Sequence, residues 1–300
     1  MSHVHSHKIG NYNRAFAIGV CLNIVFVVIE AGYGVFAESL ALIADAGHNL
    51  SDVAGLLLAW GANVLATKKA TAYRTYGFRK ATILASLASA ILLIVTLGYI
   101  AWEAIERFAN PRPVEGMTVI VVATIGVVIN TLTALLFFKG QKDDLNIRGA
   151  FLHMAADAGI SLGVVVAGIL IMVKGWLWID PVVSLFIVAV VLISTWGLLR
   201  DSVNYAIDSV PKNINIDGIR QYLIGLDRII RIHDLHVWPL STTEVALSVH
   251  IEVNDNTLDN ALLWDIQQYL HDYFGIEHAT IQVESATSQN NCLLDRYTDE

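Results

Sequence analysis

Six apolar stretches fill the first two-thirds of this chain, near residues 14–36, 40–66, 82–107, 116–138, 150–173 and 177–200. Each holds about the 20 residues that an α-helix needs to cross a hydrocarbon core of about 30 Å. A bilayer core offers backbone amides no water, so stretches of this kind are expected as helices. The chain of 300 residues is 55% hydrophobic and 15% charged, with a mean hydropathy of +0.56. That excludes an ordinary soluble domain. Residues 211–300 lack such stretches and read as soluble.

Charge divides along the same line. Residues 1–210 hold 14 Lys and Arg against 13 Asp and Glu, and the remainder hold 5 against 14, a net of −9. A nucleic-acid surface is therefore not expected. The connection between the second and third stretches carries Lys68, Lys69, Arg74, Arg79 and Lys80, and that between the fourth and fifth carries Lys139, Lys142 and Arg148. On the other side Arg107, Arg112 and Lys174 are diluted by Glu103, Glu106 and Glu115. The positive-inside rule then puts both termini of this multi-pass membrane protein in the cytoplasm. The first stretch is too long for a signal-peptide core and is read as a retained helix. The two cysteines, Cys21 and Cys292, offer no disulfide framework.

The domains expected are a polar tail over 1–13, a six-helix transmembrane domain over 14–208, and a cytoplasmic domain over 209–300. In the tail, His3, His5 and His7 alternate, as a plain polar end or as a loose metal-collecting arm. The last domain reads α-β-β-α-β: a helix from Ile216 to Leu226, strands at Ile229–Trp238 and Glu244–Val253, a helix from Thr257 to Phe274 before Gly275, and a strand at His278–Glu284. In the second strand Val245, Leu247, Val249, Ile251 and Val253 are expected on a core face. Glu244, Ala246, Ser248, His250 and Glu252 are expected on a polar one. Such a unit of about ninety residues is marginal alone, which favours a dimer.

Two spacings carry the chemistry, His48-x-x-x-Asp52 and His153-x-x-x-Asp157, each within an apolar stretch. Residues four apart share a helix face. A carboxylate at the bilayer centre costs about 2.5–3.5 kcal/mol on insertion scales, so such residues mark function. Two pairs facing one another supply two nitrogens and two oxygens, a tetrahedral zinc-type shell. Magnesium and calcium prefer all-oxygen shells, and copper(I) prefers sulfur. Cobalt, cadmium and iron(II) compete with zinc. The bland alternative is that the pairs only join helices.

Asp45 is either a hydrogen-bond partner of a ligand histidine or a helix cap. Glu30 faces the bundle or water, as a proton relay or as a protonated structural group. Asn23, Asn49 and Asn130 read as helix–helix contacts. The repeat of Ala44-Asp45-Ala46-Gly47 as Ala156-Asp157-Ala158-Gly159 reads as small-residue packing. No His-Glu-x-x-His and no P-loop is present, so neither an intramembrane metalloprotease nor an ATP-driven pump is expected. The expectation is a transporter and not an enzyme; a metal-gated channel and a membrane-anchored zinc sensor are the rivals.

The run Ser39-Leu-Ala-Leu-Ile-Ala-Asp-Ala-Gly-His-Asn-Leu-Ser-Asp52 resembles the second-helix signature of the cation diffusion facilitator family. His153-Met-Ala-Ala-Asp157 resembles its fifth-helix motif, and His233-Asp-Leu-His-Val-Trp238 with Thr280-Ile-Gln-Val-Glu284 its cytoplasmic domain. The likeness is to the zinc-exporting branch. It implies a homodimer with a metallochaperone-like (ferredoxin-like) αββαβ domain that exchanges cytosolic zinc for protons. It implies His48, Asp52, His153 and Asp157 as transport ligands, and Lys80 with Asp208 as an ion pair locking the protomers. It also implies His233, His250, Glu284 and Cys292 as tail-domain metal ligands. Two departures stand out. Thr71, Arg74 and Phe78 occupy a loop where some relatives carry a metal site, and Gln282 stands where one has a histidine. His236 is expected to pack near Trp238, and His271 and His278 to be exposed.

Overall fold

The computed structural model describes residues 12–138, 145–253 and 260–285. Cys292, His3, His5 and His7 lie outside that range. The chain opens with six helices: α1 (Tyr12–Phe36), α2 (Leu40–Ala66), α3 (Ala81–Ala109), α4 (Gly116–Phe137), α5 (Leu145–Lys174) and α6 (Ile179–Ala206). Each expected apolar stretch falls on one of them, with residue 138 past the end of α4 and 177–178 ahead of α6. Among the described residues four helical segments are long and apolar enough to cross a membrane: Ala81–Ala109, Gly116–Leu136, Phe151–Lys174 and Ile179–Ala206. No more than 39% of any of these windows is buried. Val95, Trp102, Ile105, Phe186 and Ile193 lie open on their surfaces. An apolar surface that wide is untenable in water and suits hydrocarbon.

The chain falls into two compact units, residues 1–57 with 89–197, and 58–88 with 198–300. The first unit packs Phe26, Leu42, Leu97, Ile100, Ala123, Val164, Ile187 and Val191 into one core. Small residues set its closest approaches. A Cβ on Gly168 of α5 would stand 2.8 Å from Ile120 of α4, and one on Gly126 of α4 would stand 2.7 Å from the ring of Phe26 in α1.

In the second unit the order is α7 (Ile216–Ile224), β1 (Ile229–Pro239), β2 (Val245–Val253), α8 (Asn260–Phe274) and β3 (His278–Ser285), the αββαβ order expected. Asn215 caps α7 through a bond from Gly218 N. The sheet order is β1-β2-β3, with β1 and β2 antiparallel and β2 and β3 parallel. Ile219, Leu223, Leu247, Val249, Ile251, Ile266 and Leu270 form its core. The alternation expected for β2 holds on the core face only. On the other face Ala246 and His250 are buried too, because β2 is the central strand and its neighbours cover it. Segment 58–88 joins this unit through polar contacts. Arg79 pairs with Glu244 at 3.1 Å, and Thr242 N donates to Thr82 Oγ1 at 3.1 Å.

Candidate metal centres

In the first unit, α2 and α5 bring His48, His153 and Asp157 together, with one ligand atom of each within 4.8 Å of the others. His48 Nε2 lies 3.4 Å from Asp157 Oδ1, and His153 Nε2 lies 3.7 Å from Asp157 Oδ2. Tetrahedral zinc with bonds near 2.0–2.1 Å separates its ligand atoms by roughly 3.3 Å. The observed spacings are therefore close to a shell that needs only a small contraction. His48 and Asp157 are buried, whereas the His153 side chain is 43% exposed. Asp52 lies on α2 one turn after His48; its side chain is outside the described part.

Asp45 is fully buried, and its Oδ2 accepts a 2.8 Å bond from Ser161 Oγ on α5. The two Ala-Asp-Ala-Gly segments thus lie in helices that face one another. Glu30 on α1 is fully buried, and Asn49 Nδ2 donates to its Oε2 at 3.4 Å. Asn23 reaches Met154 across helices at 3.7 Å. Asn130 is fully buried with no hydrogen-bond partner among the described residues, which the expectation of a helix contact did not anticipate.

A second polar knot at the start of α2 has no signature in residue spacing. Asp180, at the start of α6, accepts from Ser39 Oγ at 2.6 Å, Leu40 N at 2.8 Å and Ala41 N at 3.2 Å. It caps a helix 140 residues away rather than its own. Arg107 of α3 is buried, donates to the Glu38 carbonyl, and pairs with Asp180 at 3.7 Å and Glu103 at 3.6 Å. Ser161, Asp180 and Arg107 were missed in the sequence because their partners lie on other helices. The one available signal was an acidic residue just before Pro181.

In the second unit two rows cross the sheet: His233, His250 and Gln282 in one, and Arg231, Glu252 and Glu284 in the other. His250 Nδ1 lies 2.9 Å from Glu284 Oε1, and His233 Nε2 lies 3.6 Å from Glu284 Oε2. These three residues offer ligand atoms within 4.8 Å of one another. His233 is buried, and neither ring nitrogen has a hydrogen-bond partner among the described residues. A buried imidazole left open in this way fits a metal ligand. His250 is itself buried, 7% exposed, so the expectation that it sits outside the interior is corrected: the edge strands shield it. Gln282 Nε2 donates to Glu284 Oε1 at 2.8 Å and orients that carboxylate.

His236 departs from the expected packing. It is exposed and bonds Asp234 at 2.9 Å, because the register shifts between His233 and His236 and Asp234 takes a positive φ of 50°. His271 and His278 are exposed as expected. The bond to Asp272, reinforced by Glu277, raises the His271 pKa. Lys80 Nζ meets Asp208 Oδ1 at 2.7 Å, with both side chains about half exposed. The expected ion pair thus closes within one chain. In the 2–3 connection Thr71 and Arg74 form a turn, and Arg74 stacks over Phe78 at 4.5 Å. That arrangement is no metal shell.

The family profile described as "Cation efflux transmembrane domain" matches residues 16–205, and "Cation efflux protein, cytoplasmic domain" matches 211–286. The chain is 38% identical over 296 residues to a "Cadmium, cobalt and zinc/H(+)-K(+) antiporter" of Bacillus subtilis (strain 168), covering 97% of this chain and 95% of that one. It is 38% identical over 293 residues to "Zinc transporter ZitB" of Escherichia coli (strain K12), covering 95% and 93%. It is 35% identical over 286 residues to "Metal cation efflux system protein CzcD" of Cupriavidus metallidurans (strain ATCC 43123 / DSM 2839 / NBRC 102507 / CH34), covering 95% and 90%. These matches run through both the helices and the small sheet, and the chain belongs to the cation efflux family, with a helical membrane domain followed by a cytoplasmic domain.

Proposed function

We propose that this chain exports zinc from the cytoplasm in exchange for protons, with cadmium and cobalt as further substrates. The observation that carries this reading is the convergence of His48, His153 and Asp157 within 4.8 Å inside the helical unit. Asp52 is the fourth ligand in this reading, and the protein works as a homodimer of six-span protomers with both termini in the cytoplasm. The names of the relatives support the metals, and the cytoplasmic-domain match supports the dimer. The iron(II) competitor named from ligand chemistry has no support from those names.

The coupling follows from ligand chemistry. Zinc needs carboxylates deprotonated and imidazoles neutral. Histidine titrates near pH 6.5, so protons from a more acidic exterior compete for the same lone pairs. Metal leaves as protons arrive, and the return step carries protons inward. His153 is the more exposed ligand, which makes it the first contact for an entering ion.

The tail residues His233, His250 and Glu284 would hold a resident zinc. Its role there is to offset the net −9 of residues 211–300 when two copies meet. Zinc uptake into proteoliposomes, with and without an imposed pH gradient, tests the reading. Uptake that accelerates when the lumen is the more acidic side, and that alkalinises the lumen in step, supports it. Flux indifferent to the gradient would favour a channel, and no flux at all would leave a sensor.

A further inference from the structure

We propose that Glu30 and Asp45 form a carboxyl pair that carries an exchanged proton apart from the metal ligands. The proposal deepens the antiport reading and rests on it. Both residues are fully buried, on α1 and α2. One oxygen of each is held, Glu30 Oε2 by Asn49 and Asp45 Oδ2 by Ser161. The other oxygens, Glu30 Oε1 and Asp45 Oδ1, are buried and receive no donor among the described residues. The two carboxyl groups nevertheless lie within hydrogen-bonding reach of each other. Ionised carboxylates only accept, so a contact between two of them requires a proton in between.

Charge balance leads to the same conclusion. No lysine or arginine occurs within residues 15–67, 81–106, 113–138 or 149–173. The ionisable groups acting on the pair are His48 of α2 and Asp157 of α5. Residues 81–102 of α3 and all of α4 carry no acid, base or histidine. A zinc ion on the transport ligands is matched by Asp52 and Asp157, which leaves Glu30 and Asp45 without a cation. Two bare carboxylates sharing a buried site do not both ionise.

With one proton the pair is an acid bonded to a carboxylate, with charge −1. A second proton makes two neutral acids, and its loss restores the shared state. Only O–H bonds form and break, and the proton comes from water and returns to it. Zinc arriving beside Asp157 adds positive charge and expels the second proton; its departure readmits it. The metal ligands then need not carry the whole proton count.

The test uses the full-length protein in proteoliposomes with a zinc indicator and a pH dye. Glu30→Gln and Asp45→Asn keep side-chain shape. Each should lower the protons moved per zinc by about one and flatten the pH dependence of the zinc Kd by that same proton. An unchanged proton count in both variants overturns the pair and leaves antiport standing. Zinc flux without protons in the wild type overturns antiport itself. Loss of potassium dependence at constant proton count would make the pair a potassium site and overturn the proposal. Infrared spectra of the wild type give a readout independent of variant folding. A buried protonated-carboxyl band that responds to zinc is expected, to vanish in both variants, and its absence would contradict the pair.

Discussion

Two clusters of two histidines and a carboxylate occur among the described residues, built by different periodicities. In the helical unit His153 and Asp157 share a helix face by the i, i+4 rule, and His48 is brought across from α2. In the sheet His233, His250 and Glu284 come from three strands and meet through register alone. The first kind of cluster is written in local spacing. The second is not, since a one-residue slip would turn each side chain to the other face. The helical centre puts its carboxylate, Asp157, in full burial, whereas the Glu284 side chain keeps 22% of its surface. A charge that is costly to bury argues for transport at the first centre and for adjustment at the second.

Substitution at the two carboxylates should separate them most widely. Asp157→Ala removes a ligand and the charge that zinc needs, and zinc uptake should fall by about 100-fold or more. Glu284→Gln should leave uptake within a few-fold of wild type. It should also abolish the thermal stabilisation of the cytoplasmic domain by added zinc, measured by calorimetry. Equal losses of flux in both variants would erase the distinction.

The same contrast of buried and exposed charge applies to the ion pairs. Asp180→Ala leaves Arg107 and the α2 amides without their partner and should cost about 3–5 kcal/mol, seen as a lower unfolding midpoint of the detergent-purified protein. Reversing Lys80 or Asp208 alone should cost below about 1 kcal/mol, because both side chains are half in solvent and screened. Reversing both should recover part of that loss, and losses that merely add would show no coupling. Comparable costs for the two pairs would contradict the burial argument.

The smallest effect is expected at His271. Its folded pKa is raised, so its contribution to stability is fully present below the unfolded value near 6.5 and is lost as pH rises through the folded value. His271→Gln should therefore lower the midpoint of the cytoplasmic domain at pH 6 and leave it unchanged at pH 9, read by thermal melts at the two values.

Helix positions, the αββαβ order and the grouping of His48, His153 and Asp157 were legible because each rests on a short-range period: 3.6 for the helices, 2 for the strands, four residues for His and Asp. What stayed hidden depends on partners far along the chain. Asp45 offered two readings, and its Ser161 partner is 116 residues away. Asp180 drew no reading from the sequence, and it caps α2 across 140 residues. His250 sat on a strand face that composition marked as polar, and the central place of β2 buries it. His236 was expected to pack, but the irregular register around Asp234 turns it out to solvent. The tail cluster of His233, His250 and Glu284 was reached through family likeness and not from spacing, for the same reason.

The central claim is that zinc sits in the helical unit on two imidazoles and two carboxylates. X-ray absorption at the zinc edge tests it on the full-length protein carrying His233→Ala and Glu284→Gln, loaded with one zinc per chain. The account predicts four light ligands near about 2.0 Å, with the outer-shell scattering of two imidazoles, and loss of that signal when Asp157→Ala is added. A six-oxygen shell, a sulfur ligand, or the same spectrum after Asp157→Ala would contradict it.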